Sequence, residues 1–269
     1  MDLGLAGKRA LVTGSSSGIG AGIAKMLAAE GCRVVVHGLS LDEARAVAAQ
    51  IGPGTLAIAG DIATNDGADA VRDAVTDALG GIDILVNNVG GALGSATKDL
   101  LDIDEDTWAQ TYEINVISAV RMIRRFLPGM KERGWGRIIQ IASVSASQPL
   151  PLGPDYSCAK AAVINLTVSL ARSLGTCGVT ANTVSPGTTM TPALSQWIDG
   201  LARDNGWTDL PREEIERRVT LGMLDVPLGF IGRSENVATA VCMLASTPGG
   251  DYMTGGNVRC DGGQNHSVN

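Results

Sequence analysis

The sequence predicts an α/β protein whose core is one open parallel sheet covered by helices on both faces. Three observations carry that expectation. Short apolar runs rich in Val, Ile and Leu alternate with stretches of helical periodicity, and the runs lack the apolar/polar alternation of a sheet with a wet face. The 35 glycines are nearly twice the usual share of ~7%, and without a collagen period they mark tight strand-to-helix turns and close backbone approaches. No linker or change in composition divides the 269 residues, so residues 1–269 read as a single domain.

The elements follow in order. Lys8 to Thr13 (KRALVT) is a strand ending at Gly14, and from Gly18 onward Ile19, Ile23, Met26 and Leu27 fall at helical spacing. The pattern repeats as strand Arg33 to His37, helix Leu41 to Ile51, strand Thr55 to Ala59, helix Asn65 to Leu79 and strand Ile82 to Asn87. A long helix from about Asp104 to Lys131 comes next, then strand Gly136 to Ala142, a helix from about Tyr156 to Leu174, and strand Val179 to Val184. Between Pro186 and Gly232 the rhythm fails. Two weak helical patterns, Ala193 to Arg203 and Arg212 to Leu224, flank Asn205-Gly206-Trp207. An insertion of about 40 residues in a tight chain is more often functional than idle, so residues 188–230 are expected to form a helical lid. Helix Ser234 to Ala245, with Ser234 as N-cap, leads to a last strand near Asn257 to Cys260.

Composition narrows the function. With 21 Lys+Arg against 28 Asp+Glu the net charge is −7, the wrong sign for gripping nucleic acid or an anionic membrane. Hydrophobic residues at 45% and charged residues at 18% can bury a sizeable core, built from Ala, Val, Leu and Ile because only 3% are aromatic. The five cysteines (Cys32, Cys158, Cys177, Cys242, Cys260) form no CxxC pair, and the two histidines are His37 and His266. Neither a disulfide framework nor a metal site is expected. Without a leader pattern or an apolar run of membrane length, the expectation is a reduced, cytoplasmic protein that handles a small molecule.

Four segments carry chemistry. Thr13-Gly14-Ser15-Ser16-Ser17-Gly18-Ile19-Gly20 joins the first strand to the first helix, where backbone N–H groups and a helix N-terminus can meet a pyrophosphate. Gly14 would make the turn, Gly18 would admit the phosphate and Gly20 would pack helix on strand. A dinucleotide site places a ribose-binding carboxylate ~20 residues further on, and that count lands on Gly38, followed by Leu39 and Ser40. Lacking the carboxylate, the strand end does not repel a 2′-phosphate, so NADP(H) is favoured over NAD(H), although no Arg or Lys stands there to attract it. Asp61 and Ile62 after the third strand, and Asn87, Asn88, Val89 and Gly90 after the fourth, lie at carboxyl ends of strands, where open parallel sheets bind ligands. Asp61 can equally cap a helix, and the Asn-Gly residues can simply turn the chain. Finally, Tyr156 and Lys160 sit one helical turn apart, so a cation can lower the phenol's pKa toward the working range, and Ser143, after a strand, can bond an oxygen on which charge develops.

In this order, TGSSSGIG, NNVGG, Ser143, YSCAK, SPGTTMT and TGGNVRCDGG resemble the classical short-chain dehydrogenase/reductase family over nearly the whole chain. The resemblance implies a doubly wound, seven-stranded Rossmann fold, a homotetramer, and hydride transfer between NAD(P) and a carbonyl or secondary alcohol. It makes Tyr156 the general acid/base, with Lys160 lowering its pKa and holding the nicotinamide ribose. It gives Ser143 the substrate oxygen and Asn115 a water for proton relay. It puts Pro186, Gly187, Thr188, Thr189 and Thr191 near the nicotinamide. A substrate pocket is expected from Gly91 to Leu93, Ser143, Ser145, Gln148 to Leu152, Tyr156, Met190, Leu194 and Trp197. This lining is mostly apolar and suits a neutral or weakly polar substrate, while Arg203, Arg212 and Arg217 read as solvated helix faces. A nucleotide sensor or scaffold without turnover is the alternative. It would have no reason to keep an activated phenol.

Overall fold

The computed structural model describes residues 2–267. In chain order its elements are β1 (Arg9–Val12), α1 (Gly18–Ala29), β2 (Arg33–Gly38), α2 (Leu41–Ile51), β3 (Leu56–Ala59), α3 (Asn65–Leu79) and β4 (Ile84–Asn87). They continue with α4 (Glu105–Tyr112), α5 (Ser118–Glu132), β5 (Gly136–Ile141), α6 (Pro154–Leu174), β6 (Val179–Pro186), α7 (Pro192–Asp204), α8 (Arg212–Val219), α9 (Ser234–Ala245) and β7 (Asn257–Cys260). The seven strands form one parallel sheet in the order β3-β2-β1-β4-β5-β6-β7, a doubly wound Rossmann arrangement.

Both faces of the sheet are dry because successive residues of each inner strand point to opposite cores. In β1, Ala10 and Val12 enter a cluster with Ile23, Leu27, Val237 and Val241 of α1 and α9. Leu11 enters the other cluster, with Val71, Val75, Met122 and Phe126 of α3 and α5. Val34 and Val36 against Val35 in β2, and Ile84 and Val86 against Leu85 in β4, split in the same way. The register Ala10↔Val34 and Ala10↔Ile84 aligns these residues across the three central strands, so each core is continuous. A third, smaller cluster of Ile198, Ala202, Ile215 and Ile231 belongs to the segment between β6 and α9.

The elements that differ from the sequence reading include three helices. The single helix expected over Asp104 to Lys131 is interrupted by a π-helical turn, Glu113–Ile117, between α4 and α5. The extra residue turns Asn115 inward, where it is 2% exposed. α6 begins earlier than Tyr156, at Pro154, after Gly153 in the left-handed region. Ser234 is not the N-cap of α9. Arg233 holds that position, and its amide donates to Asn236 Oδ1 (2.7 Å), which leaves Ser234 in the first helical turn. Among the described residues no helix is long and apolar enough to cross a membrane.

Candidate active site

A groove of about 470 Å³ runs over the carboxyl ends of the strands, across the point where the strand order reverses between β1 and β4. Its first part is the loop from β1 to α1. Gly14 (φ +64) and Gly18 (φ +55) adopt the left-handed backbone that glycine accepts without strain. A Cβ on Gly20 would lie 2.5 Å from Gly14 O and 2.6 Å from Asn88 Nδ2, so this residue sets how closely α1 approaches the loop. A Cβ on Gly18 would meet nothing within 4 Å, leaving open space at the start of α1. The first turn of α1 has no capping side chain and no acidic residue, so its amides and dipole face the groove uncompensated. These features fit a dinucleotide pyrophosphate.

The loop is held by its neighbours. Thr13 Oγ1 accepts from the Asn88 amide (3.0 Å), and Asn88 Nδ2 donates to Thr13 O and Gly14 O, both at 3.0 Å. His37 is 1% exposed and bridges two strand ends: its Nδ1 accepts from the Gly14 amide (3.1 Å), and its Nε2 contacts Gly60 O (3.0 Å). Burial lowers its pKa, so His37 serves as a neutral spacer between the glycine loop and β3. Ser16, Ser17, Ile19, Gly38, Leu39, Asp61, Ile62, Val89 and Gly90 all line the groove. Asp61 also closes a local turn by accepting from the Ala63 amide (3.0 Å), while Thr64 is the residue that caps α3. Glu43 lines the groove too, which the sequence reading missed by leaving it in the helix. The available signal was the S-x-x-E spacing from Ser40, which in the structure caps α2 by accepting from the Glu43 amide.

At the far end stand Ser143, Tyr156 and Lys160, with Pro186, Gly187 and Thr191 beside them. β5 delivers Ser143 at its carboxyl end, and α6 carries Tyr156 and Lys160 on one face. Lys160 is buried and its Nζ donates to Ile141 O (3.0 Å), 5.6 Å from the centre of the Tyr156 ring. Burial lowers the Lys160 pKa to about 8. Burial also raises that of Tyr156, partly offset by a hydrogen bond with Ser143. The expected lowering of the phenol's pKa by Lys160 is therefore not the dominant effect in the protein alone. Asn115 Oδ1 accepts from the Gly91 amide (3.1 Å), and its Nδ2 donates to Gly91 O and Thr111 O, both at 2.8 Å. A Cβ on Gly90 would lie 2.4 Å from Asn115 Oδ1 and 2.8 Å from Lys160 Nζ, so a side chain here would displace both groups.

Several expected contacts lie elsewhere. Ser15 is fully buried: its hydroxyl donates to Val12 O (2.6 Å) and accepts from the His37 amide (2.9 Å). Asn87 is buried and does not line the groove, and its side-chain amide has no hydrogen-bond partner among the described residues. Thr188 bonds Gln264 Oε1, through its amide at 2.9 Å, and faces a second cavity. Thr189 donates to Gly187 O (3.1 Å). Ser145 donates its amide and hydroxyl to Ser143 Oγ (3.2 and 3.0 Å) and so orients it. Gln148 accepts from the His266 amide, and Met190 packs on the small cluster formed by Ile198 and its neighbours. Arg212 is held by Asp199 and by Glu216 (3.1 Å).

The chain is similar to known proteins in sequence and in fold. The short chain dehydrogenase family model matches residues 8–201. A 3-oxoacyl-(acyl-carrier-protein) reductase of Vibrio cholerae is 36% identical over 263 residues, covering 97% of this chain and 98% of that one. An L-sorbose reductase from Gluconobacter frateurii, solved with NADPH and L-sorbose, is 33% identical and superposes over 100% of both chains with a TM-score of 0.90. A 3-ketoacyl-(acyl-carrier-protein) reductase from Brucella melitensis, solved with NADH, is 29% identical, with a TM-score of 0.83 over 97% of this chain and 99% of that one. This chain belongs to the short-chain dehydrogenase/reductase family and is an NAD(P)-dependent oxidoreductase.

Proposed function

We propose that the protein interconverts a carbonyl compound and a secondary alcohol, with Tyr156 exchanging the proton. The observation that carries this reading is the meeting of Tyr156, Ser143 and Lys160 in the same groove as the glycine loop. The dinucleotide, when bound, supplies or accepts the hydride at the substrate carbon. Gly18 and the first turn of α1 would hold its pyrophosphate, Gly38, Leu39 and Asp61 its adenosine end, and Lys160 the nicotinamide ribose. Pro186, Gly187 and Thr191 would border the nicotinamide.

Ser143 Oγ donates to the substrate oxygen and fixes it beside the phenol. Because burial keeps Tyr156 neutral, its hydroxyl delivers a proton to an oxygen gaining negative charge during reduction. In oxidation the phenolate takes that proton back, and the Lys160 ammonium above the groove floor steadies it. Asn115 holds Gly91 and keeps the π-helical turn against Lys160. Residues 188–230 act as the lid. Leu93, Leu150, Leu152 and Trp197 are exposed apolar side chains, and Arg212 is committed to carboxylates, which supports a neutral or weakly polar substrate.

Tyr156→Phe tests the reading. Turnover, followed by dinucleotide absorbance with a panel of 3-oxoacyl thioesters and ketoses, should fall by about 10²–10⁴-fold. The Kd for NADPH and NADH, read by fluorescence titration, should change by no more than about threefold, since a phenol-to-phenyl change leaves the packing intact. Retained turnover would remove Tyr156 from its role.

A further inference from the structure

Asp155 precedes Tyr156 in the first turn of α6 and is completely buried, as are Ser95 and Thr111. Its Oδ2 accepts from Ser95 Oγ (2.9 Å) and from Thr111 Oγ1 (2.7 Å), while Oδ1 has no partner. Ion-pairing does not explain this carboxylate, because no cation lies within salt-bridge distance of it among the described residues. A buried carboxylate with one orphan oxygen is costly, so its use must lie in what it fastens.

The bonds from Asp155 close a ring. Thr111 O accepts from Asn115 Nδ2, and Asn115 in turn grips both polar groups of the Gly91 backbone. One residue on, Ala92 O accepts from the Ser95 amide (2.7 Å), and the Ser95 hydroxyl returns to Asp155. The turn so enclosed contains Leu93 at φ +43, one of two described non-glycine residues in the left-handed region. Leu93 is 45% exposed, so the strain is not repaid by burying its side chain. The Gly153 amide donates to Lys98 O (2.9 Å) and binds the same loop to the start of α6.

We propose that Asp155 is a positioning residue: through Ser95 and Thr111 it locks the Leu93 turn and the Asn115 turn to the helix that carries Tyr156. The ring sets where the Leu93 turn, and Gly90 of the groove lining, stand relative to the phenol. Its catalytic consequence rests on the reading of Tyr156 given above.

Three variants and two readouts test it. In Asp155→Ala, kcat should fall about 100-fold, the scale of a misplaced reacting group, with dinucleotide Kd unchanged. Amide hydrogen exchange at Gly91 and Ser95, measured on the cofactor-free protein, should quicken by at least about 10-fold as the turn opens locally. Asp155→Asn keeps an acceptor oxygen and should recover both properties to within about 10-fold of the parent. If Asp155→Ala does not fold, Ser95→Ala opens the ring from its other side and should show the same paired changes at smaller size. Unchanged exchange, unchanged kcat, or Asp155→Asn behaving like Asp155→Ala would each overturn the proposal. The exchange readout does not involve the proton step. If Tyr156→Phe stays active while exchange still responds to Asp155, it is the reading of Tyr156 that fails and not the ring.

Discussion

Lys160 is predicted to lower the stability of the protein it serves, in a pH window set by its own titration. Burial brings its pKa from the ordinary 10.5 to about 8. Between those values the unfolded chain carries a proton that the folded protein does not, so stability rises with pH at about 1.4 kcal/mol per unit. Over the whole window that amounts to about 3 kcal/mol. Lys160→Met removes the titration while keeping an unbranched side chain of similar length. It also deprives Ile141 O of its donor, an offset of about 1–3 kcal/mol that does not depend on pH. Urea unfolding of both proteins at intervals from pH 7 to pH 10 separates the two effects. The variant should be at its best relative to the parent at pH 7 and lose about 2–3 kcal/mol of that relative stability toward pH 10. Cys32 and Cys242, pushed up to about 12 by burial, are common to both proteins and cancel. A difference that stays level across the window would refute the view that desolvation dominates at Lys160.

Gly20→Ala would force its Cβ against Gly14 O, Asn88 Nδ2 and Ser15 Cα, of which two are backbone atoms that must move. A loss of about 1–3 kcal/mol in thermal or urea unfolding, with weakened NADPH binding in the same protein, is the expected result, and parental affinity would show that the loop tolerates displacement. His37→Gln tests the buried spacer. With its pKa lowered by burial, wild-type His37 stays neutral while the unfolded chain takes up a proton near the ordinary 6.5, so wild-type stability falls as pH drops below that value. The melting-temperature gap between wild type and variant should shrink between pH 7 and pH 5, and a constant gap would mean that His37 is not held neutral.

Most of the fold was legible because the parallel sheet is buried on both faces, and an uninterrupted run such as Ala10-Leu11-Val12 signals that arrangement whichever core each side chain enters. Boundaries were less so. Ile82 is as buried as a strand residue but precedes the pairing, which begins at Ile84. The start of α6 had a readable signal, Pro154 following Gly153, since proline suits the first helical position. The π-helical turn had none. One extra residue between two helices of matching periodicity shifts the face of everything after it, and only the choice of which core α5 enters reveals the shift.

Within the site, spacing told which groups would meet but not how they would titrate. A separation of four residues puts the Tyr156 phenol and the Lys160 ammonium on one helix face, and the sign of each pKa shift then depends on how deeply that face is covered. Coverage comes from elements distant in the chain: Ile141 at the end of β5 receives the ammonium, and the Asn115 turn closes over Gly90 and Gly91. Burial shifts each group toward its neutral form, which for Tyr156 is the opposite of a lysine-stabilised phenolate. Near pH 7 the pair therefore enters the reaction as a neutral phenol beside an ammonium that burial has brought to a pKa of about 8 but that still holds its proton. The same dependence hides Asp155. Beside Tyr156 in sequence it looks like an ordinary acidic residue in a helix's first turn, and only the return of Ser95 and Thr111 from other elements makes it the centre of a buried ring.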